Sequence, residues 1–184
     1  MTSRRIFFIS DTHFFHDNIL KFKDKDGDRI REFECIEDMH ETIVNNWNAC
    51  VRPQDKIYHL GDVTFKYNQD FEKLMKRLNG HKRLILGNHD KIKGTCLMRY
   101  FEKVEVWRMF PEHDFVATHV PIHLGPLEDG KQEIRKYNFN VHGHTHQNHL
   151  HDGRYINICV ENTAYCPVHI DEVKFMIDLT KINL

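Results

Sequence analysis

Leu84-Ile85-Leu86-Gly87-Asn88-His89-Asp90 is an apolar run suited to a buried strand that stops at a glycine and gives way to three polar residues. Asn88 offers a neutral oxygen ligand, His89 a titratable imidazole and Asp90 a carboxylate able to orient that ring. A Gly-Asn pair also makes an ordinary turn, so the stretch gains its meaning from its neighbours.

The same grammar recurs on both sides. Residues 5–10 form a short β-type run that breaks at Asp11-Thr12-His13, and strand alternation puts Asp11 and His13 on one side of the strand end. His16 and Asn18 follow closely, either as substrate contacts or as caps of the next helix. Lys56-Ile57-Tyr58-His59-Leu60 runs into Gly61-Asp62. Downstream, residues 104–109 and 114–117 read as strands joined by a turn containing Pro111, and the second ends in Thr118-His119. Phe139-Asn140-Val141-His142 leads into Gly143-His144-Thr145-His146. Five β-type runs that each end in Asp, Asn or His fit an α/β architecture with ligands gathered at one edge of a sheet.

Between these runs, apolar Ile36, Met39, Ile43, Val44 and Trp47 recur at helical spacing over residues 34–50. Phe71, Leu74, Met75 and Leu78 mark a second helix with a glycine stop at Asn79-Gly80, and residues 92–101 have helical character. Residues 21–31 read as a solvated loop; they fail the EF-hand pattern because Gly27 comes too early and no closing Glu follows. Residues 125–138 have no period and suggest a surface loop or lid. Residues 155–160 alternate like a strand, and residues 168–179 suggest one or two more. Met75, Met98 and Met109 read as packing, Lys82-Arg83 as a solvated pair. His16, His59, His81, His123, His142 and His149 each carry the plainer reading of a satisfied polar residue near a turn.

Composition bounds the function. One domain over residues 1–184 is the simplest organisation, long enough to bury a core without staples. Lys plus Arg number 26 against 27 Asp plus Glu, so charge gives no argument for nucleic acid or membrane. The run Ile6-Phe7-Phe8-Ile9 behind Arg4 and Arg5 is too short for a signal sequence, and no stretch is long enough to span a bilayer. Five cysteines without C-x-x-C spacing argue against a disulfide framework and a thiolate zinc site, so a reducing cytoplasm is the expected location. The donor set is therefore Asp11, His13, Asp62, Asn88, His119, His144 and His146. Seven donors exceed one tetrahedral zinc and suit two ions sharing a carboxylate. Mixed oxygen and imidazole donors favour Mn, Fe, Zn or Ni over Ca or Mg.

In order, Asp11-Thr12-His13, Gly61-Asp62, Gly87-Asn88-His89-Asp90, His119 and Gly143-His144-Thr145-His146 resemble the five blocks D-x-H, G-D, G-N-H-D/E, H and G-H-x-H of the calcineurin-like metallophosphoesterases. The N-terminal SDTHFFHDNI is also similar to a narrower group of small bacterial and phage phosphoesterases reading SDTHFGHxNI, with Phe15 where that group has Gly. The resemblance implies a four-layer α/β/β/α sandwich with the metal site at the C-terminal ends of the strands. It implies that Asp11, His13 and His146 hold one divalent ion, that Asn88, His119 and His144 hold a second, and that Asp62 bridges them. His89 is then the acid that protonates the leaving oxygen, and Asp90 holds its ring. Two such ions, about 3.5 to 4 Å apart, lower the pKa of a shared water for in-line attack on phosphorus. Protein phosphatases of this family read GDxxDRG, and Gly61-Asp62-Val63-Thr64-Phe65 lacks the arginine. The expected activity is thus a phosphodiesterase or nucleotide-type phosphatase, manganese-dependent by preference, with a nuclease or a catalytically idle scaffold as alternatives.

Overall fold

The computed structural model of the chain describes residues 4–91, 95–124 and 137–183. Among the described residues, nine strands form two sheets. The first takes β1 (Ile6–Ile9), β2 (Lys56–His59), β3 (His81–Ile85), β4 (Lys103–Glu105) and β9 (Val168–His169) in the order β4-β3-β2-β1-β9. Its pairings are parallel except for β1 with β9. The second takes β5 (Trp107–Phe110), β6 (Phe115–Thr118), β7 (Phe139–His142) and β8 (Tyr155–Asn157) in sequence order. There β6, β7 and β8 run parallel and β5 antiparallel.

Strand alternation sorts the side chains into two cores. Phe8, Tyr58 and Ile85 of the first sheet face Phe115, Ala117, Phe139 and Val141 of the second, and together they fill the space between the sheets. Phe7, Ile9, Ile57 and Leu84 point the other way, onto the helices. Helix α1 (Ile36–Cys50) presents Ile36, Met39, Ile43, Val44 and Trp47 as one buried stripe, as its spacing predicts. Helix α2 (Gln69–Arg77) starts where the Asn68 side chain accepts from Phe71 N, and it carries acids in its first turn and Lys76 and Arg77 in its last. It ends before Asn79; Gly80, at φ +90°, makes the turn into β3 instead. Helix α3 (Thr95–Tyr100) lies within the helical stretch expected over 92–101, of which residues 92–94 fall outside the described residues. The result is the expected α/β sandwich of two sheets and packed helices.

Several expectations need correction. Residues 168–179 are not strands beyond the two residues of β9: helix α4 (Ile170–Asn183) follows at once and packs against β9, β1 and β8. Its Ile170, Val173 and Ile177 enter the core between the sheets, so burial overrides the strand preference of these β-branched residues. The expected strand over 104–109 is two strands in different sheets, with exposed Val106 at the crossing. Met98 is exposed rather than packed. Lys82 and Arg83 are not a solvated pair: Lys82 donates to the Leu78 and Gly80 carbonyls, and Arg83 lies against the Tyr58 ring and its hydroxyl. Residues 21–30 are largely exposed as expected, but Arg31 at the end of that stretch is fully buried. The expected lid at 125–138 lies outside the described residues apart from its last two. No helix among the described residues is long and apolar enough to cross a membrane.

Candidate metal centre

The five strand ends meet. β1, β2, β3, β6 and β7 all deliver their polar residues at the carboxyl edge of the parallel strands, where open α/β sheets place ligands. The chain turns there through strained backbone. Asp11, His13, Asp62, His144 and His146 all have φ between 48° and 70°, in the left-handed region that Asp and His enter more readily than most side chains. Phe15, also at φ 59°, occupies the position where the similar group has Gly; its N–H donates to His40 Nε2 and its ring packs on that imidazole.

Glycines let these corners close. A Cβ on Gly87 would stand 2.2 Å from Asp62 Oδ1, one on Gly143 2.0 Å from Ser10 Oγ and 2.4 Å from Asp11 Oδ2, and one on Gly61 2.7 Å from His119 Nδ1.

Six of the seven expected ligands fall into two groups, Asp11 with His13 and His146, and Asp62 with His119 and His144. Within each group the ligand atoms lie within 4.8 Å of one another. Asn88 joins the second group, its Oδ1 2.9 Å from His119 Nε2. Asp62 Oδ2 stands between the groups, 3.7 Å from His13 Nε2 and 3.4 Å from His119 Nε2.

The donor set fits divalent ions. Asp11 Oδ1 and His13 Nε2 are buried and without a hydrogen-bond partner, and they face each other at 3.6 Å. Asp11 is aimed by its other oxygen, which accepts from Ser10 Oγ, His144 N and the Cys159 thiol. His119 lies with Nδ1 2.7 Å from the Leu60 carbonyl, which needs a proton on that nitrogen. Its Nε2 lone pair then faces oxygens of Asn88 and Asp62, an arrangement of electron pairs that calls for a cation among them. Burial lowers the His119 pKa, but Asp62, Asp11 and the Leu60 carbonyl outweigh it and raise it above the ordinary value, so the surroundings of this ring favour positive charge. Asp11 moves the opposite way. Burial raises its pKa, yet the neighbouring His13 and His119 hold it well below the usual carboxylate range.

Glu161 escaped the sequence reading. Its Oε1 accepts from His146 Nδ1 at 2.8 Å and pairs with Arg31 at 2.7 Å, leaving His146 Nε2 free for a metal. Arg31 reaches on to the Asp11 and Thr12 carbonyls, so one buried guanidinium braces the corner that carries the first ligands. His59 behaves as the plain reading had it: Gly61 N donates to Nδ1, and Nε2 meets Thr12 Oγ1 at 2.9 Å. No sequence pattern links Glu161 or Arg31 to His146. Burial pushes the Cys159 thiol strongly up, and that thiol donates to Asp11 Oδ2.

His89 is exposed at the rim, its ring 4.8 Å from Phe65 and 6.0 Å from His13, and its backbone N–H donates to Asp62 Oδ1. Asp90 does not hold the His89 ring as expected. Its two oxygens accept from the backbone N–H groups of Asp62, Gly87 and Val63, so the carboxylate ties the third strand end to the second. His16 stacks face to face on Phe65 at 3.7 Å, with Nδ1 3.3 Å from His13 Nδ1, and burial and the neighbouring His13 push its pKa down to about 4. Asn18 is exposed and its Oδ1 accepts from Lys21 Nζ.

Carboxylate, amide and imidazole donors in two groups, at the carboxyl edge of a two-sheet α/β sandwich, define a metal site of the phosphoesterase kind. The chain belongs to the calcineurin-like phosphoesterase family, whose sequence model matches residues 4–114. It is 33% identical over 191 residues to the uncharacterized protein MJ1445 of Methanocaldococcus jannaschii, covering 99% of this chain and 96% of that one. The fold is similar to the crystal structure of AQ665, a protein of unknown function from Aquifex aeolicus. That similarity has a TM-score of 0.73 at 27% identity over 95% of this chain and 100% of the other.

Proposed function

We propose that the chain hydrolyses a phosphodiester or nucleotide-type phosphate ester at a pair of divalent ions, manganese by preference and iron, zinc or nickel as alternatives. The observation that carries this reading is the pair of ligand groups meeting at Asp62, with buried Asp11 Oδ1 and His13 Nε2 left without partners. Asp11, His13 and His146 would hold the first ion, Asn88, His119 and His144 the second, with Asp62 shared. When bound, such ions neutralise phosphate charge and supply a nucleophile at neutral pH.

The chain's own groups do the rest. Glu161 and the Leu60 carbonyl fix the tautomers of His146 and His119, so that each presents a lone pair to the site. His89, seated by its backbone bond to Asp62 and by Phe65, gives a proton to the oxygen that leaves phosphorus. A reducing cytoplasm suits Cys35, Cys50, Cys159 and Cys166, all free thiols. An idle scaffold would have no use for a complete ligand set.

The test strips the protein of metal, refills it with Mn and offers a chromogenic monoester, a chromogenic diester and cyclic nucleotides. Absence of turnover with two metals bound would overturn the reading. His89→Ala should retain both metals and lose about a hundredfold to ten-thousandfold in turnover of esters with poor leaving groups. Unchanged rates on those esters would remove His89 as the acid.

A further inference from the structure

A recess of about 340 Å³ opens beside the second ligand group, with Asn88 and His119 themselves on its wall. The rest of the wall is mostly apolar: Leu86 comes from the end of β3, Val106 and Trp107 from the crossing between the sheets, and Val120 and Ile122 from the segment after β6. Three of these are held out in water, Val106 at 70%, Trp107 at 53% and Val120 at 45% exposure. Large apolar side chains gathered in the open beside polar ligands signal something that covers them.

The far wall is built rather than loose. Thr118 Oγ1 donates to the Val120 carbonyl at 2.7 Å, and Asn140 Oδ1 accepts from Ile122 N at 2.9 Å. Asn140, fully buried, is itself anchored by donating to Thr118 Oγ1 and the Val116 carbonyl. Trp107 is fixed from the other side by its pairing with Thr118 across β5 and β6.

We propose that this recess receives a flat apolar substituent, an aryl group or a nucleobase, of the phosphate ester cleaved at the metal centre. More narrowly, it receives the substituent that stays on phosphorus. His89, the proton donor to the departing oxygen, packs on Phe65 and beside His13, and none of these three residues lines the recess. A substrate with its phosphoryl oxygens at the two ligand groups therefore sends its leaving oxygen towards His89 and its retained group past Asn88 and His119. This inference rests on the function proposed above and narrows it to diesters or phosphonate esters that keep an aromatic group.

Calorimetric titration of Mn-loaded protein with inorganic phosphate, methylphosphonate and phenylphosphonate tests the recess without turnover. Phenylphosphonate should bind about tenfold more tightly than methylphosphonate, the gain expected from burying one ring edge and face. Trp107→Ala, and separately Val120→Ser, should bring that ratio to within about twofold. In turnover, p-nitrophenyl phenylphosphonate and p-nitrophenyl methylphosphonate share a leaving group, so a kcat/KM preference for the first that Trp107→Ala abolishes reports the retained group alone. Phosphate bound without any phenyl preference would overturn the recess assignment and leave the phosphoesterase reading standing. Failure of all three anions to bind would overturn both. A wild-type dimer that Trp107→Ala dissociates in sedimentation would assign the patch to a second copy of the chain instead.

Discussion

A carboxylate that accepts three backbone N–H groups, as Asp90 does, has more to do with shape than with proton transfer. Burial raises its pKa while those three donors, the N–H groups of Gly87, Val63 and Asp62, hold it back. Asp90→Ala should cost about 2 to 5 kcal/mol in urea unfolding, because buried N–H groups lose their acceptor. It should also lower the metal content, since Asp62 loses its seat. His89→Ala, in contrast, should unfold like wild type. Comparable destabilisation by both variants would mean that Asp90 acts through the ring after all. The sequence reading placed Asp90 next to the right machinery and gave it the wrong partner, because adjacency in the chain suggested the neighbouring imidazole. The five left-handed residues Asp11, His13, Asp62, His144 and His146, at three strand ends, were equally invisible there, since only glycine advertises that backbone.

Five of the strands lead into polar residues that could hold a metal, and that made these elements legible. A β-type run followed at once by Asp, Asn or His is local information, and β1, β2, β3, β6 and β7 all carry it. Helices α1 and α2 were legible from their apolar spacing for the same reason. What was not legible depends on contacts made across the chain. Arg31 and Glu161 meet from opposite ends of the sequence, and α4 is a helix because its Val173 and Ile177 find the space between the sheets. The Glu161 contact has its own test: Glu161→Gln should weaken metal binding at the first group by about 10- to 100-fold, as loss of a carboxylate behind a ligating histidine does, and spare the second. Stepwise metal titration followed by elemental analysis reads the two affinities. Equal weakening of both, or of neither, would count against a support role for Glu161.

At the scale of the whole molecule, neither sheet owns the centre. Asp11 and His13 come from the first sheet and His146 from the second; Asp62 comes from the first, His119 and His144 from the second. Residues 4–114 of the family match therefore cover only part of the ligand set. Behind that seam His59 is buried, and burial pushes its pKa down to about 3. The sign follows: between that value and the ordinary histidine pKa the unfolded chain binds the extra proton, so stability rises with pH across this window and is flat above it. Metal-free wild type should therefore lose stability below about pH 6.5 more steeply than metal-free His59→Gln, by up to about 1.4 kcal/mol per pH unit. Chemical unfolding at a series of pH values measures both slopes, and equal slopes would mean that His59 is not the group responsible. The glycine corners reach further still. The space that a Cβ on Gly143 needs is held by Ser10 and Asp11, and the space at Gly87 by Asp62. Mutational tolerance at each corner is thus set by a residue in another strand, so substitutions there should combine non-additively, and drift in one half of the chain should be permitted or vetoed by the other.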